Sequence, residues 1–257
     1  MLNIRLIPVL LLKGTGLVKT RRFARPTYIG DPINAVHIFN DMNADELIFL
    51  DITKSRSGQS PDFSMISEIA NECFMPFCYG GGVRDIDTMK KIFYIGAEKI
   101  ALGAAAFEKP CLIGEAAKTF GSQSIVVVMD VKKNWHGQYR ITTHSATRIH
   151  PVDPVTYAKR MADAGAGELL VYSVDRDGMM NGYDIELLQQ ITRAVNIPVI
   201  ACGGAGNFQH FRQAITLGGA AAVAAGSRFV FFGVHNAVLI NYPDKQQLKQ
   251  LFLGSNE

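Results

Sequence analysis

The chain has 257 residues, 48% of them hydrophobic, and a formal net charge of +3. This composition indicates a globular protein with a substantial core, and the charge is too small to favour nucleic acid as a partner. No uninterrupted apolar run approaches the roughly 18 residues of a membrane span, and the first strand begins without a signal-type apolar segment. We therefore expect a cytoplasmic protein that has neither a membrane nor a nucleic-acid partner.

Short β-branched segments alternate with longer amphipathic segments along the whole chain. Eight predicted strands cover Ile4 to Leu11, Glu46 to Asp51, Pro76 to Tyr79, Lys99 to Gly103, Ser124 to Asp130, Glu168 to Val174, Pro198 to Ala201 and Ala221 to Ala225. A helical pattern follows each strand, and two helices begin with an Asp-Pro pair, which is typical of an N-cap and first helical position. Strand-helix units of this number and length predict one α/β domain, residues 1–257, folded as a (β/α)8 TIM barrel.

Several short motifs occur twice at one spacing. Asp31-Pro32 recurs as Asp153-Pro154, Glu46-Leu47 as Glu168-Leu169, and Pro76 with Gly81-Gly82 as Pro198 with Gly203-Gly204, always 122 residues later. A constant offset between matching element types indicates an internal repeat. The barrel is therefore predicted to consist of two duplicated half-barrels, about 1–122 and 123–257.

The C-terminal ends of the strands are where such a barrel holds its active site. Asp130 ends the run SIVVVMD, and strand alternation puts it on the same face as Val126 and Val128. A carboxylate there can serve as a general acid or base, although a helix cap or loop hydrogen bond is the alternative interpretation. Lys13 lies two residues after Leu11, and Lys132 lies two residues after Asp130. This common spacing makes Leu11 the counterpart of Asp130. Two opposed carboxylates are therefore not available.

Two glycine turns, YGGGVRD and CGGAGNF, each join a strand to a helix start, and small residues follow one unit later in LGAAAF and AAGSRF. Glycine lets backbone N–H groups approach an oxyanion closely. The pairing predicts two phosphate-sized sites across the barrel mouth, while the alternative is that the glycines only permit tight turns. The candidates are Gly81, Gly82 and Gly103 in the first half and Gly203, Gly204, Gly226 and Ser227 in the second.

Charged residues begin four otherwise apolar strands: Arg5, Glu46, Lys99 and Glu168. Two cations and two anions would thus meet at the barrel floor and neutralise one another, since unpaired charges in a core are costly. A structural plug and a gate for a small polar molecule are both compatible with this pattern. The residues alone leave the two interpretations open.

Two long segments lie after the first and fifth strands. KGTGLVKTRRFARPTYIGD carries Lys13, Lys19, Arg21, Arg22 and Arg25, which suits either a basic flexible lid or a merely solvated loop. KKNWHGQYRITTHSATRIH is predicted to form a β-hairpin inserted at the mouth. Its histidines, His136, His144 and His150, lack metal-ligand spacing, and the four cysteines form no C-x-x-C pair and are predicted to be buried. We predict no metal site.

The motifs DELIFLDIT, GGGVRD, TFGSQSIVV, GAGELL, DRDG, GYD and ACGGAG occur here in the order found in HisF, the cyclase subunit of imidazole glycerol phosphate synthase. The chain resembles that family from end to end. The resemblance implies a HisH-like glutaminase docked on the floor, ammonia passing through a gate formed by the four charged residues, and no cofactor. It also implies catalysis by aspartates, for which Asp130, Asp51 and Asp177 are the candidates, and binding of a substrate with two phosphates. Lys19 and Gly178 join the glycines as phosphate- or substrate-binding candidates.

Three positions depart from the HisF pattern. Leu11 replaces the first catalytic aspartate, Gly103-Ala104 replaces an Asn-Thr phosphate-binding pair, and Met179 replaces a threonine. The segments IPVLLLKGTGLVKT, YIGDPINAV and AVLINYP instead resemble a divergent branch, the acetamidino-modification proteins of bacterial surface polysaccharide clusters. That resemblance implies ammonia transfer, with a glutaminase and a separate sugar amidotransferase, toward a phosphorylated or nucleotide-linked amino sugar. A histidine-biosynthesis cyclase and a non-catalytic scaffold are the alternatives.

Overall fold

The computed structural model describes residues 4–233, 235–244 and 246–247. Eight parallel strands each pair with the next, and the last pairs with the first, so that the sheet closes into a barrel. The strands are β1 (Arg5–Lys13), β2 (Leu47–Asp51), β3 (Phe77–Gly80), β4 (Lys99–Leu102), β5 (Ile125–Lys133), β6 (Glu168–Ser173), β7 (Val199–Cys202) and β8 (Ala222–Ala225). The predicted (β/α)8 barrel is confirmed.

Helices connect the strands on the outside of the barrel. The longer ones are α1 (Pro32–Asp41), α2 (Phe63–Glu72), α3 (Ile86–Ile95), α4 (Cys111–Phe120), α5 (Pro154–Asp163), α6 (Ile185–Thr192) and α7 (Phe208–Thr216). Short helices span Lys54–Ser57, Ala104–Glu108 and Ser227–Val230, and 3-10 turns span Ser122–Ser124 and Val174–Arg176. Asp31 and Asp153 cap α1 and α5 by accepting hydrogen bonds from backbone N–H groups, as the Asp-Pro pairs predicted.

Two apolar layers hold the barrel together. Side chains from alternating strand positions fill the interior: Ile7, Val9, Leu11, Ile48, Cys78, Ala101, Val126, Leu170, Ile200, Cys202, Ala222 and Ala224 belong to this buried cluster. The opposite face of each strand packs against the helices in a larger cluster, because a parallel sheet in a barrel is covered on both faces. Any polar group within the barrel is therefore surrounded by hydrocarbon on all sides.

The two halves repeat at the level of single contacts. Gly81 and Gly203 both have positive φ, +123° and +92°. A Cβ atom would lie 2.6 Å from the carbonyl oxygen of Asp51 at Gly81 and 2.6 Å from that of Ser173 at Gly203. The same offset that relates the motifs, 122 residues, thus relates both glycines and both of their neighbours, and only glycine fits these turns.

Each half also carries a β-hairpin after its first strand. Gly16–Arg21 pairs antiparallel with β1 and with Ala24–Gly30. The prediction of a flexible or merely solvated loop at this point is wrong, since an ordered extension of the sheet occupies it. The second hairpin pairs Tyr139–Thr143 with β5 and with Arg148–His150, which confirms the predicted hairpin at the mouth. A further small pair joins Phe231–Phe232 to Ala237–Val238.

In the described residues, no helix has the length and apolar character needed to cross a bilayer. All four cysteines are free thiols. Cys78 and Cys202 are buried in the barrel, but Cys111 is exposed at the start of α4, so the prediction that every cysteine is buried is wrong at that position.

Candidate active site

A cavity opens at the C-terminal ends of the strands. Leu11, Asp51, Gly81, Gly103 and Asp130 are among its lining residues. They come from the ends of β1, β2 and β5 and from the turns after β3 and β4. The position agrees with the general location of active sites in (β/α)8 barrels.

Asp130 lies in this cavity without a protein partner for its carboxylate. Its backbone oxygen accepts a hydrogen bond from Thr142, but within the described residues no group donates to its side chain. Burial, with a smaller contribution from the negative charge of Asp177, raises the pKa of Asp130 to about 7. A carboxyl group with this pKa can both hold and release a proton near neutral pH, as general acid-base catalysis requires.

Leu11 lies in the same cavity and is 3% exposed. It continues the interior-facing series of Ile7 and Val9, so its side chain points into the barrel as predicted. A leucine neither donates nor accepts a proton, and its hydrocarbon adds to the desolvation of the cavity. The cavity therefore holds one carboxyl group, Asp130, and an apolar side chain, Leu11, at the two positions that the sequence pattern matches.

Asp51 and Asp177, the other two catalytic candidates, are engaged in the fold. Oδ1 of Asp51 accepts hydrogen bonds from the N–H and hydroxyl of Thr53, at 2.9 and 2.6 Å, and from the N–H of Lys54 at 3.3 Å. It nevertheless lines the mouth cavity. Asp177 accepts hydrogen bonds from the Thr20 hydroxyl, the Phe23 N–H and the Tyr172 hydroxyl. Asp177 lines a neighbouring pocket, where it ties the first hairpin to β6 and the turn after it.

The second-half anion candidates do converge. One pocket beside the mouth is lined by all of the following: Lys19, Gly178, Gly203, Gly204, Gly226 and Ser227. Lys19 lies on the hairpin strand and is 5% exposed, which corrects the view of it as part of a flexible lid. Burial lowers the pKa of Lys19 to about 8, a shift that Asp177 partly offsets. Its ammonium group donates to the carbonyl oxygen of Val9 and lies so close to Gly226 that a Cβ atom at that position would clash with it.

The first-half anion candidates are split between two places. Gly81 and Gly103 line the mouth cavity, whereas Gly82 lines a smaller neighbouring pocket together with Arg84, Glu108 and His144. Glu108 lies 3.6 Å from Nε2 of His144 and 3.8 Å from the guanidinium of Arg148. The first-half pocket therefore combines Arg84 with Glu108, whereas the second-half pocket combines the buried Lys19 with Asp177.

The floor of the barrel holds the predicted ring. Arg5 contacts Glu46 and Glu168 at 2.5 Å each, and Lys99 contacts the same two carboxylates at 3.1 and 3.0 Å. Burial alone would lower the pKa of Arg5, but Glu168 and Glu46 reverse this and raise it. The prediction that these four side chains converge is confirmed, while their role as an ammonia gate stays a prediction.

His144 and Ser145 are mouth residues that sequence reasoning missed, since the histidines of this segment were only judged as metal ligands. Both line the main cavity, and with Ala146 they form a turn in which three successive non-glycine residues have positive φ. Burial, followed by the charge of Arg148, lowers the pKa of His144. The sequence signal was weak, because the turn THSAT contains no glycine to indicate a left-handed conformation. In the described residues, no group of three or more His, Cys, Asp or Glu side chains is suited to hold a metal ion.

Comparison with known proteins agrees with this geometry. The model of a family described as histidine biosynthesis protein matches residues 5–235. A Pseudomonas aeruginosa protein provisionally named imidazole glycerol phosphate synthase subunit hisF2 is 46% identical over 248 residues, which cover 96% of this chain and 99% of the relative. A Leptospira borgpetersenii protein, provisionally named as the HisF subunit, is 46% identical over 98% of this chain and 100% of its own length. The imidazole glycerol phosphate synthase subunit HisF of Caulobacter vibrioides is 43% identical over 90% of this chain and 89% of its own.

Proposed function

The chain belongs to the family of histidine biosynthesis proteins, and we propose that it is a HisF-like synthase subunit that receives ammonia from a HisH-like glutaminase through its barrel. We further propose that this ammonia serves the acetamidino modification of a sugar in surface polysaccharide synthesis. The observation that carries the second step is Leu11, a lining residue of the mouth cavity that the resemblance to HisF matches with the first catalytic aspartate of that family.

The barrel interior supports a path for ammonia. Between the charged floor and the mouth, the interior side chains are apolar, and several are small: Cys78, Ala101, Cys202, Ala222 and Ala224. Neutral NH3 can enter such surroundings, whereas an ammonium ion without a partner would be strongly disfavoured. The cations of the floor, Arg5 and Lys99, are its more exposed side chains, and the carboxylates of Glu46 and Glu168 lie behind them.

The mouth supports a chemistry different from histidine cyclisation. One half-buried carboxyl group, Asp130, is retained, and its pKa of about 7 suits proton exchange with an amine or with ammonia. The opposite side of the cavity is hydrocarbon, from Leu11 and from Phe23, whose ring packs edge-on against Tyr172 at 4.8 Å. The acid-base group at the mouth and the charge ring at the floor also argue against a non-catalytic scaffold.

The second candidate is the cyclase subunit of imidazole glycerol phosphate synthase. It is favoured by the names of relatives such as the Caulobacter vibrioides protein, at 43% identity. In that case Asp51 or Asp177 would have to supply the second acid-base group. Both carboxylates already accept hydrogen bonds from the surrounding chain, Asp51 from Thr53 and Asp177 from Thr20, which argues against this role.

Isotope tracing separates the two functions. The chain is combined with the glutaminase and the sugar amidotransferase of the same genome, an N-acetylated amino sugar nucleotide, ATP and glutamine labelled with ¹⁵N in its amide. The label should appear in an acetamidino group only when this chain is present. Absence of label from the sugar would contradict the proposed role. In a parallel reaction, the histidine precursor replaces the sugar. Label in the imidazole glycerol phosphate formed from it would establish the cyclase.

A further inference from the structure

A second cavity lies beside the anion pocket of the second half. That cavity lies between the first hairpin and the residues that follow β6 and β8, and its lining includes Arg21, Arg25, Thr27, Met180 and Asn236. Lys19, Gly178 and Ser227 line both spaces. The two spaces are therefore neighbours, with the buried Lys19 side chain between them.

The cations of this double pocket lack acidic partners. Within the described residues, no carboxylate oxygen lies within 4.0 Å of a charged nitrogen of Lys19, Arg21 or Arg25. Asp177 also lines the pocket, but its oxygens accept hydrogen bonds from Thr20, Phe23 and Tyr172. Lys19 is buried, whereas Arg21 and Arg25 are exposed to solvent, and three cations without an acidic partner around neighbouring spaces favour an anionic ligand.

The other end of the mouth has fewer cations along its pocket. The pocket beside Gly82 is lined by Glu108, and Gly103 and Ala104 offer no side-chain donor. A phosphate there would face the Glu108 carboxylate, although Arg84 lines the same pocket. Its guanidinium already donates a 3.0 Å hydrogen bond to the carbonyl oxygen of Gly58. The anion-binding capacity is thus concentrated at one end.

We propose that the mouth binds a ligand with a diphosphate group at one end, and not a ligand with one phosphate at each end. The inner phosphoryl group occupies the glycine-lined pocket against Lys19 and Ser227, and the outer one meets Arg21 and Arg25. This inference rests on the proposed function, whose substrate class it narrows to a diphosphate-linked molecule. Guanidinium groups suit the outer position because their planar N–H donors match phosphoryl oxygens.

Titration calorimetry of the intact chain with three probes tests this assignment. Inorganic pyrophosphate should bind at least about 10-fold more tightly than inorganic phosphate or fructose bisphosphate, since charge-assisted hydrogen bonds contribute roughly 1.5–3 kcal/mol and about 1.4 kcal/mol is tenfold. The double variant Arg21→Gln/Arg25→Gln should lose about 10-fold or more in pyrophosphate affinity and little in phosphate affinity. Both arginines are exposed on the hairpin, so the variant should remain folded.

A matched control removes the same charge from residues outside both spaces. Arg22→Gln/Arg84→Gln should leave pyrophosphate affinity within about 2-fold, well under the 1.4 kcal/mol of a tenfold change. Equal affinities for pyrophosphate and fructose bisphosphate, with fructose bisphosphate binding weakened by Arg84→Gln, would overturn the proposal in favour of a two-ended ligand. Unchanged pyrophosphate binding in the Arg21/Arg25 variant would also overturn it. Since binding is measured without glutaminase or sugar, its outcome is independent of the isotope-tracing result.

Discussion

The floor and the mouth of the barrel both hold buried or half-buried charged side chains, but the charges are paired at the floor and unpaired at the mouth. At the floor, Arg5 and Lys99 each contact both Glu46 and Glu168, so all four charges are paired. At the mouth, Asp130 accepts no side-chain hydrogen bond from the described residues, and Lys19 has no carboxylate within 4.0 Å among them. The pKa of Asp130 is raised to about 7 and that of Lys19 is lowered to about 8, mainly by burial.

This difference separates two uses of charge within one scaffold. Removing one member of a set of paired, buried charges is strongly destabilising, because its partners are left unpaired in an apolar environment. Unpaired buried charges weaken the fold and persist where a ligand or a reaction needs them. Substitutions at the floor are therefore expected to lower the free energy of unfolding more than substitutions at the mouth. Substitutions at the mouth are expected to have the larger effect on binding and catalysis.

The largest expected stability effect is at the floor. Glu46→Gln should lower the free energy of unfolding by about 3–5 kcal/mol, because Arg5 and Lys99 then share one carboxylate in a buried site. Urea unfolding followed by circular dichroism measures the change. Glu115→Gln, at an exposed position on α4, is the matched control and should stay within about 0.5 kcal/mol. Equal effects of the two substitutions would show that the ring is not a stabilising unit.

Asp130→Asn should raise the free energy of unfolding, which is the opposite of the effect expected of Glu46→Gln. Because the folded-state pKa of Asp130 is raised, the folded protein binds more protons than the unfolded chain between about pH 4 and pH 7, and its stability falls as the pH rises through that window. The variant should therefore be more stable than the parent by up to about 4 kcal/mol at pH 8, and the gain should vanish below about pH 4.

Urea unfolding from pH 4 to pH 8 gives this profile, with Asp163→Asn on an exposed face of α5 as the control. A pH-independent difference between Asp130→Asn and the parent would contradict the raised pKa. The same variant should lose about 10²-fold or more in glutamine-dependent sugar amidination, despite its greater stability.

Lys99→Ala is expected to give a smaller change. The side chain of Lys99 is 18% exposed, and its loss leaves both carboxylates paired with Arg5, so the free energy of unfolding should fall by about 1–3 kcal/mol with the fold intact. If the ring gates ammonia, the ratio of ammonia transferred to glutamine hydrolysed should change with the cognate glutaminase bound. An unchanged ratio would favour a structural plug.

The barrel itself could be predicted because its signals are local and repeated. Alternating strand and helix periods identified all eight strands, and the 122-residue offset related Gly81 to Gly203 before any coordinates. Strand alternation also gave the inward orientation of Leu11 and Asp130. These features depend only on the periodicity of strands and on the steric needs of tight turns.

The parts that could not be predicted depend on long-range contacts. The basic segment after β1 contains charges typical of a solvated loop, yet Lys19 is buried because the hairpin folds back on β1 and approaches β8. The Asp177 carboxylate holds this hairpin through Thr20 and Phe23, which are more than 150 residues away in the chain. The position of His144 in the mouth cavity likewise involves a long-range contact, with Glu108 of the short helix after β4.

The measurement that tests the account most directly is turnover of the bis-phosphorylated precursor of imidazole glycerol phosphate by the purified, unmodified chain. Saturating ammonium salts replace the glutaminase, and the HisF subunit of Caulobacter vibrioides serves as the active reference. General acid-base assistance typically contributes about 10²- to 10⁴-fold, so a barrel with Leu11 opposite Asp130 should have a kcat/KM at least about 100-fold below the reference. Leu11→Asp should restore no more than a trace, because Gly103 and Ala104 also alter ligand positioning. A kcat/KM of the unmodified chain equal to that of the reference would contradict the sugar-amidination role and identify a histidine cyclase.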